Sequence, residues 1–360
     1  MATAPKPLPS IEYDAPAQPC HERGRKRVRR AAPDHSQALR LAFQALFLVL
    51  NLVLGIRFYL FVRFYESGGQ GGPVSRPPGV EGWLPIAGLM NTKYWLTTGI
   101  VPHVHPAALF LLVAFLVISV LFRKAFCSWL CPIGTISEAL WKFGRQLMRR
   151  SPALPKWVDL PLRSVKYVLL GLFLYAVGSM SAPSLRGFME SPYGLIADVK
   201  MLNFFRYLSQ TAAIVLLLLV LLSVMIQNFW CRYLCPYGAL MGLAALFSPA
   251  RVRRNADICI DCAKCAKACP SLLPVDRIAS VRSAECTGCL ECTAVCPASG
   301  ALEFSFPGKR AVPAWALAMG IAVVFLGIVG IAQLSGHWHT DIPTELYRHL
   351  IVRAGDFSHP

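Results

Sequence analysis

The chain has 360 residues and a formal net charge of +17, and 55% of its residues are hydrophobic while only 15% are charged. A soluble domain of this length carries more charge, so the composition indicates a membrane protein. The Lys and Arg residues cluster beside apolar segments, where they can meet anionic lipid. Because no basic face interleaved with aromatic residues and no known binding motif occurs, we expect no nucleic-acid partner.

Five apolar segments approach or exceed the length of about 17–25 residues with which a helix crosses a bilayer. They are residues 41–62, 106–122, 167–183, 211–230 and 312–335. The polar tail that precedes the first segment is too long for the start of a cleaved signal peptide, so we predict that this segment is a membrane anchor. The Pro- and Arg-rich composition of the tail predicts disorder.

Basic residues alternate between the two sides of the predicted helices. They are abundant in the tail, between the second and third helices and in residues 251–310, whereas residues 63–105 and 186–206 carry three each. Because basic loops stay in the cytoplasm, we predict that the N-terminus faces the cytoplasm and the C-terminus faces the periplasm.

Residues 259–297 contain two cysteine runs with the same pattern, C-x2-C-x2-C-x3-C-P. This is the spacing of bacterial [4Fe–4S] ferredoxins, in which three thiolates of a run bind one cluster and the fourth reaches the other cluster. The spacing predicts one cluster on Cys259, Cys262, Cys265 and Cys296, and a second on Cys286, Cys289, Cys292 and Cys269. Structural zinc and a disulfide framework are weaker alternatives, because the complete pattern occurs twice.

A second cysteine pattern is repeated within the membrane segment. Residues 126–134 read F-C-S-W-L-C-P-I-G and residues 230–238 read W-C-R-Y-L-C-P-Y-G. Residues 41–150 and 165–254 therefore resemble two parallel copies of one helical unit, related by an axis along the membrane normal. We expect the paired cysteines to share a helical face and to meet as one group of four, Cys127, Cys131, Cys231 and Cys235. Such a group could bind a metal or cluster, act as redox-active thiols or simply pack.

Together these motifs resemble the NapH/MauN/NosR-type polyferredoxin membrane proteins over roughly residues 40–310, and length and the fifth helix are most similar to the YccM-like branch. The resemblance implies electron transfer between the quinone pool or a cytoplasmic donor and a periplasmic or membrane partner. That partner would be a flavoprotein, a cytochrome or a reductase, and the chain would at most be a quinol dehydrogenase-like component.

The chain differs from NosR in two features, and a second family suggests an alternative function. The chain lacks the large flavin domain of NosR and any D-x-x-T-G-A-T-like attachment sequence, so we expect no covalent FMN. CcoG/FixG-type proteins are similar in the membrane core and are associated with copper reduction for oxidase assembly, but they add an extended periplasmic domain. Here about 25 residues follow the last helix. A metal-handling or maturation factor is therefore the alternative function.

Histidine and acidic residues give further expectations. No C-x-x-C-H motif occurs and no histidine lies in the middle of a predicted span, so we expect no haem. The outer histidines are expected to be solvated or interfacial, and the acidic residues beside the ferredoxin cysteines to be solvated surface charges. The outer histidines are His103, His105, His337 and His339, and the acidic residues are Asp257, Asp261 and Glu285.

We therefore predict a multi-pass α-helical protein of the bacterial cytoplasmic membrane, with about five transmembrane helices and an inserted α+β ferredoxin-like domain for two [4Fe–4S] clusters. Its predicted parts are a disordered cytoplasmic tail (1–40), a four-helix membrane domain with two CxxxCP repeats (41–254), a cytoplasmic two-cluster domain (255–306), a fifth transmembrane helix (307–335) and a periplasmic tail (336–360). The predicted function is iron–sulfur electron transfer.

Overall fold

The structure is a computed structural model, and it describes residues 29–31, 34–70, 72–149, 154–308 and 311–358. The helices before the ferredoxin-like domain are α1 (Ser36–Glu66), α2 (Pro85–Thr98), α3 (Pro106–Phe122), α4 (Ala125–Trp129), α5 (Pro132–Met148), α6 (Lys156–Ser179), α7 (Ala182–Met189), α8 (Pro192–Leu195), α9 (Ala197–Arg206), α10 (Gln210–Met225) and α11 (Pro236–Leu246). The remaining elements are β1 (Arg251–Arg254), α12 (Lys264–Ala268), α13 (Glu291–Ala294), β2 (Leu302–Ser305), α14 (Ala314–Leu334) and α15 (Thr344–Val352).

Several helices have the length and composition of membrane spans. Among the described residues these are α1, Trp157–Ser179 of α6, and α14, and the pair α9–α10 makes a fourth if its 82° bend lies within one span. The outward side chains of these helices are apolar, and Leu52, Leu172, Leu217 and Leu326 are between 59% and 64% exposed. Because lipid covers such side chains at no cost, the helices form a bundle of membrane type.

Helix α3 is the centre of the bundle. It packs against α2, α11 and α14 on different sides, and Ala107, Leu111, Ala114 and Ile118 are all buried. The helix is apolar on every side, as expected for a helix at the centre of a bundle, and this uniform pattern explains why the sequence predicted its bounds, 106–122, without error. With 17 residues it is shorter than the four candidates above.

The ferredoxin-like domain stands between α11 and α14. Strand β1 pairs antiparallel with β2, with Arg251 opposite Ser305 and Arg254 opposite Leu302. The domain therefore begins at residue 251 rather than at the predicted 255. Its buried Leu290 and Phe304 share one core with Trp129 of α4 and Leu317 of α14, so it is packed directly onto the bundle.

The N-terminal tail also differs from its predicted bounds. Most of the predicted tail 1–40, with Cys20, lies outside the described residues. However, the N–H of Ala31 donates to Pro297 O at 3.0 Å, and α1 begins at Ser36. The prediction of disorder is therefore wrong for residues 29–31 and 36–40, where pairing with the ferredoxin-like domain and the first helical turn satisfy backbone groups.

Two predicted spans also have other bounds in the structure. The predicted third span, 167–183, corresponds to the second half of α6, and the helix predicted at 211–230 ends at Met225.

Candidate metal centres and the membrane cavity

The two ferredoxin runs have the same backbone conformation. In the first run Asp261 and Ala263 have φ values of +53° and +55°, and in the second Gly288 and Leu290 have values of +62° and +60°. These left-handed residues occupy the same positions between the cysteines and curl each loop around a concave row of N–H groups, which favours anions. The N–H of Asp261 donates to Cys259 Sγ at 3.5 Å. Both loops thus fit a thiolate-bound, negatively charged cluster.

The structure brings the fourth cysteine of each run to the other run. Cys296 lines a small cavity together with the three cysteines of the first run, Cys259, Cys262 and Cys265. In the second set, burial and then the negative charge of Cys289, Cys286 and Cys269 raise the pKa of the Cys292 thiol well above its ordinary value. Among the described residues, no three His, Cys, Asp or Glu side chains are grouped as ligands of a single metal ion.

The C-P-x-G half of each membrane motif forms the start of a helix. Cys131 is the N-cap of α5 and Cys235 is the N-cap of α11, and a proline follows each cap. The N–H of Gly134 donates to Cys131 Sγ at 3.5 Å, and the N–H of Gly238 donates to Cys235 Sγ at 3.2 Å. Each sulfur lies at the positive end of a helix dipole, which stabilises a thiolate.

The first cysteine of each pair lies in a separate turn. Cys127 is in α4, which ends at Trp129, and Cys231 is in a π-helical turn, Trp230–Leu234. The prediction that the two cysteines share the face of one helix is therefore wrong, because the chain breaks before each Cys-Pro. The two pairs nevertheless meet, and Cys127, Cys131, Cys231 and Cys235 all line one cavity.

The first cysteine of each pair is a poor acid on its own. Burial raises the pKa of Cys127 to about 11, and burial followed by the negative charge of Cys235 and Cys127 raises the pKa of Cys231 to about 12. At pH 7 such thiols stay protonated unless a bound metal or another cation offsets the charge of the thiolates. Four sulfurs beside one space, two of them at helix N-termini, are a donor set that suits a soft metal or an iron–sulfur cluster.

The cavity that these cysteines line has a volume of about 700 Å³. Arg40 and Arg57 of α1 both line it, which gives it a length of about 25 Å at the helical rise. Its walls between these two arginines are mostly apolar and include Phe47, Leu54, Leu111, Phe325 and Val329. Trp83, Trp338 and His339 lie at the end away from the cysteines. Sequence reasoning missed this cavity, because its lining comes from helices far apart in the chain.

The residues between the paired cysteines bind the second ferredoxin run. Ser128 Oγ donates to Thr287 O at 2.7 Å, and Trp129 Nε1 donates to Gly288 O at 3.2 Å. Cys289 also lines the membrane cavity. By contrast, Cys262 of the first set is exposed. The second set of ferredoxin cysteines is therefore the one beside the membrane cysteines.

A buried ion pair lies at this junction. Lys166 Nζ contacts the two carboxylate oxygens of Glu285 at 2.6 and 2.7 Å, and Tyr167 Oη donates to the same carboxylate at 3.1 Å. Burial acts to raise the pKa of Glu285, but the positive charges of Lys124 and Lys166 hold it below its ordinary value. The prediction that Glu285 is a solvated surface charge is wrong, since α6 covers it.

A second ionic network joins α1, α5 and the ferredoxin-like domain. Arg40 donates to both oxygens of Glu138 at 2.7 Å and to Glu291 at 2.7 Å. Lys142 also contacts Glu291 at 2.9 Å. Burial acts to raise the pKa of Glu138, but the hydrogen bonds from Arg40 and Lys142 lower it to about 2. The carboxylate is therefore ionised throughout the physiological range, and the network persists.

A third network lies at the opposite end of the bundle. Arg76 contacts Glu81 and Asp198 at 2.8 Å each, and its Nη2 is 3.2 Å from His105 Nδ1. His105 is 2% exposed. The prediction that His105 is solvated or interfacial is therefore wrong, because Arg76 and the backbone oxygen of Gly194 in α8, both distant in the sequence, enclose its ring.

A model described as a 4Fe-4S binding domain matches residues 104–151 and again residues 208–255, and a model described as a 4Fe-4S dicluster domain matches residues 251–297. The YccM protein of Escherichia coli K12, whose name proposes a role in electron transport, is 48% identical over 326 residues, which are 89% of this chain and 91% of YccM.

Two further relatives match over a smaller share of this chain. The ferredoxin-type protein NapH of Escherichia coli K12 is 27% identical over 229 residues, 59% of this chain and 72% of NapH. The regulatory protein NosR of Pseudomonas aeruginosa is 32% identical over 193 residues, 51% of this chain and 25% of NosR. No solved structure matches the chain.

The apolar helical bundle and the iron–sulfur domains define a membrane-type protein of iron–sulfur electron transfer. The chain belongs to the family of YccM-like electron transport proteins. The resemblance predicted from the cysteine motifs is thereby confirmed, and so is the predicted electron-transfer role.

Proposed function

We propose that the protein transfers electrons between the quinone pool of a bacterial cytoplasmic membrane and a redox partner protein. The route runs through the four membrane cysteines, then the ferredoxin set with Cys289, then the set with Cys262. The observation that carries this proposal is the single cavity, whose lining includes all four membrane cysteines, Cys289 and a mostly apolar wall. At about 25 Å this wall covers most of the thickness of a bilayer's hydrocarbon core.

Five transmembrane helices are part of the proposal. Helix α3 is the central span although it is short, and α9–α10 is one bent span. The two separate matches of one family model, at residues 104–151 and 208–255, support two copies of a helical unit in parallel orientation. The distribution of Lys and Arg supports a cytoplasmic ferredoxin-like domain and a periplasmic C-terminus.

The cavity suits a quinone. Its apolar walls can hold an isoprenoid tail, and the polar ring can approach the membrane cysteines. Oxidation of one quinol gives one quinone, two protons and two electrons, and the reverse reaction consumes them. Bound [4Fe–4S] clusters supply the one-electron steps that divide this two-electron exchange. Ser128, Trp129 and Gln37 hold the loop of the second run against the membrane cysteines, and Gln37 Nε2 donates to Cys289 O at 3.0 Å.

The four membrane cysteines are proposed to bind a metal or an iron–sulfur cluster. The donor set and the family model described as a 4Fe-4S binding domain over both motifs support ligation. A dithiol that cycles through a disulfide is the second candidate, because the pairs are close in sequence and face one space.

Serine variants test the proposal in the full-length protein in vesicles. We expect Cys127→Ser and Cys231→Ser to abolish reduction of a soluble acceptor by a short-chain quinol, while the spectra of the ferredoxin clusters persist. Metal content separates the two candidates, because ligation requires bound metal beyond the roughly eight iron atoms of the two ferredoxin clusters, and the excess should vanish in the variants. Unchanged electron flux with serine at all four positions would overturn the proposal.

A further inference from the structure

Lys124 is a buried ammonium group that faces the membrane cysteines. It lies three residues before Cys127, is 3% exposed and lines the cavity. A Cβ atom added to Gly238 would lie 3.5 Å from Lys124 Nζ and 3.5 Å from Cys235 Sγ. The ammonium and this sulfur therefore border the same small space.

Among the described residues, the carboxylate that the charge of Lys124 acts on is that of Glu285, which already forms an ion pair with Lys166. The other cations at the junction are engaged: Lys166 binds Glu285 at 2.6 Å, and Arg123 donates to Ala245 O at 3.0 Å and to Ser283 O at 2.5 Å. Lys124, Lys166 and Glu285 together leave one excess positive charge. A buried unpaired charge is costly, so this space favours an anionic occupant.

The backbone holds Lys124 in this position. Helix α3 ends at Phe122, and Arg123 adopts φ +65° and ψ −166°, a backbone conformation that is essentially confined to glycine. The N–H of Arg123 donates to Ser248 Oγ at 3.1 Å, and its guanidinium is fixed by the two carbonyl groups named above. Strain of this kind persists only where surrounding contacts enforce it. The turn directs the next residue, Lys124, towards the cysteines.

We propose that Lys124 is the counter-charge of the redox group on Cys127, Cys131, Cys231 and Cys235, and that it favours the reduced form of that group. This inference rests on the proposed ligation at these cysteines. One added electron makes the site more negative by one unit, and a fixed positive charge in a buried, weakly screened site stabilises that change. Removing the charge should therefore make the reduction potential more negative. Lys124 is a positioning residue in this role.

The second motif offers an internal control. Asn228 precedes Cys231 by three residues, as Lys124 precedes Cys127, and it also lines the cavity. The position equivalent to Lys124 is therefore uncharged in the second motif. If the two motifs face one group, a lysine at position 228 should replace the charge that Lys124 supplies.

The test is a potentiometric titration of the full-length protein, following the spectroscopic component that Cys127→Ser abolishes. We expect Lys124→Met and Lys124→Asn to shift its potential to more negative values, and Lys124→Arg and the double variant Lys124→Asn/Asn228→Lys to restore it. Lys264→Met, at an exposed lysine beside Cys262, should leave the component unchanged.

The outcomes separate this inference from the function on which it rests. An unchanged potential in Lys124→Met would overturn the role of Lys124 alone. If Lys124→Met prevents assembly, recovery in Lys124→Arg supports the charge, whereas failure of both Lys124→Arg and the double variant overturns it in favour of packing. If Cys127→Ser abolishes no redox component, the proposed ligation fails, and this inference fails with it.

Discussion

At the scale of single residues, the glycines of the two C-P-x-G motifs have different surroundings. A Cβ atom at Gly134 would lie 2.2 Å from the carbonyl oxygen of Cys127, a distance that no side chain tolerates. At Gly238 the nearest atoms would be 3.5 Å away, which is ordinary contact. Backbone packing therefore requires glycine at this motif position in the first copy, Gly134, but not in the second, Gly238.

This difference makes a prediction about alanine. Gly134→Ala should destabilise the folded protein by about 1–3 kcal/mol, because the α4–α5 turn must open to admit the methyl group. The matched variant Gly238→Ala should change stability by less than about 1 kcal/mol. Thermal unfolding of both full-length variants in detergent measures the contrast, and equal midpoints would contradict the close approach at Gly134.

Cys269 tests the crossed ligation. Cys269→Ser should remove the cluster that we assign to Cys286, Cys289 and Cys292, with a loss of about four iron atoms, and should leave the cluster of the other run intact. Electron paramagnetic resonance of the reduced full-length protein distinguishes the two signals. Cys20→Ser, in neither cysteine pattern, is the control. Loss of the first-run cluster instead would show that each run binds its own cluster.

At the scale of elements, the junction between the bundle and the ferredoxin-like domain depends on one arginine of α1. Arg40 is the shared partner of Glu138 in α5 and Glu291 in α13, and its side chain is 3% exposed. Its removal would leave the buried carboxylate of Glu138 and the partly buried one of Glu291 with Lys142 as their remaining cation. The network therefore couples the packing of α1 to the position of the second cysteine run.

Arg40→Gln should loosen this junction. Breaking a buried ion pair by removing one partner costs about 3–5 kcal/mol, so the loop at residues 286–292 should lose protection from hydrogen exchange. Arg63→Gln is the matched control, because Arg63 is 56% exposed and lies 4.0 Å from Glu66. Equal protection of the loop in both variants would show that apolar packing alone holds the domain.

The sequence predicted those elements whose signal is local. The uniform apolar character of α3 gave its bounds, and the cysteine spacing predicted the two similar loops before any contact was known. Helix α2 was missed within the predicted loop 63–105, because its composition resembles neither a span nor a soluble amphipathic helix. Glu285 and His105 were assigned to solvent because their partners, Lys166 and Arg76, are distant in the sequence.

At the scale of the whole molecule, the cavity connects features at two depths of the bundle. One end carries the membrane cysteines and the ferredoxin junction, and the other carries Trp83, Trp338 and His339. Helix α15 covers the C-terminal part of α1, where Tyr347 and Ile351 share a hydrophobic cluster with Phe58. Under the proposed function, a quinone would enter this cavity from the bilayer and meet the cysteines next to the ferredoxin-like domain.

The orientation of the molecule gives the last prediction. Gly308 closes the ferredoxin-like domain, and α14 follows it with 21 residues, all apolar except Gln333, before α15. If α14 crosses the membrane, a reporter at Gly308 and one after Pro360 lie on opposite sides. We expect cytoplasmic fluorescence without phosphatase activity at Gly308, and the reverse after Pro360. A fusion after Gly69, which follows α1, should behave like the one after Pro360, because α1 crosses outwards from the basic tail. Matching signals at Gly308 and Pro360 would overturn the five-helix topology, since α14 would then lie on one side of the membrane.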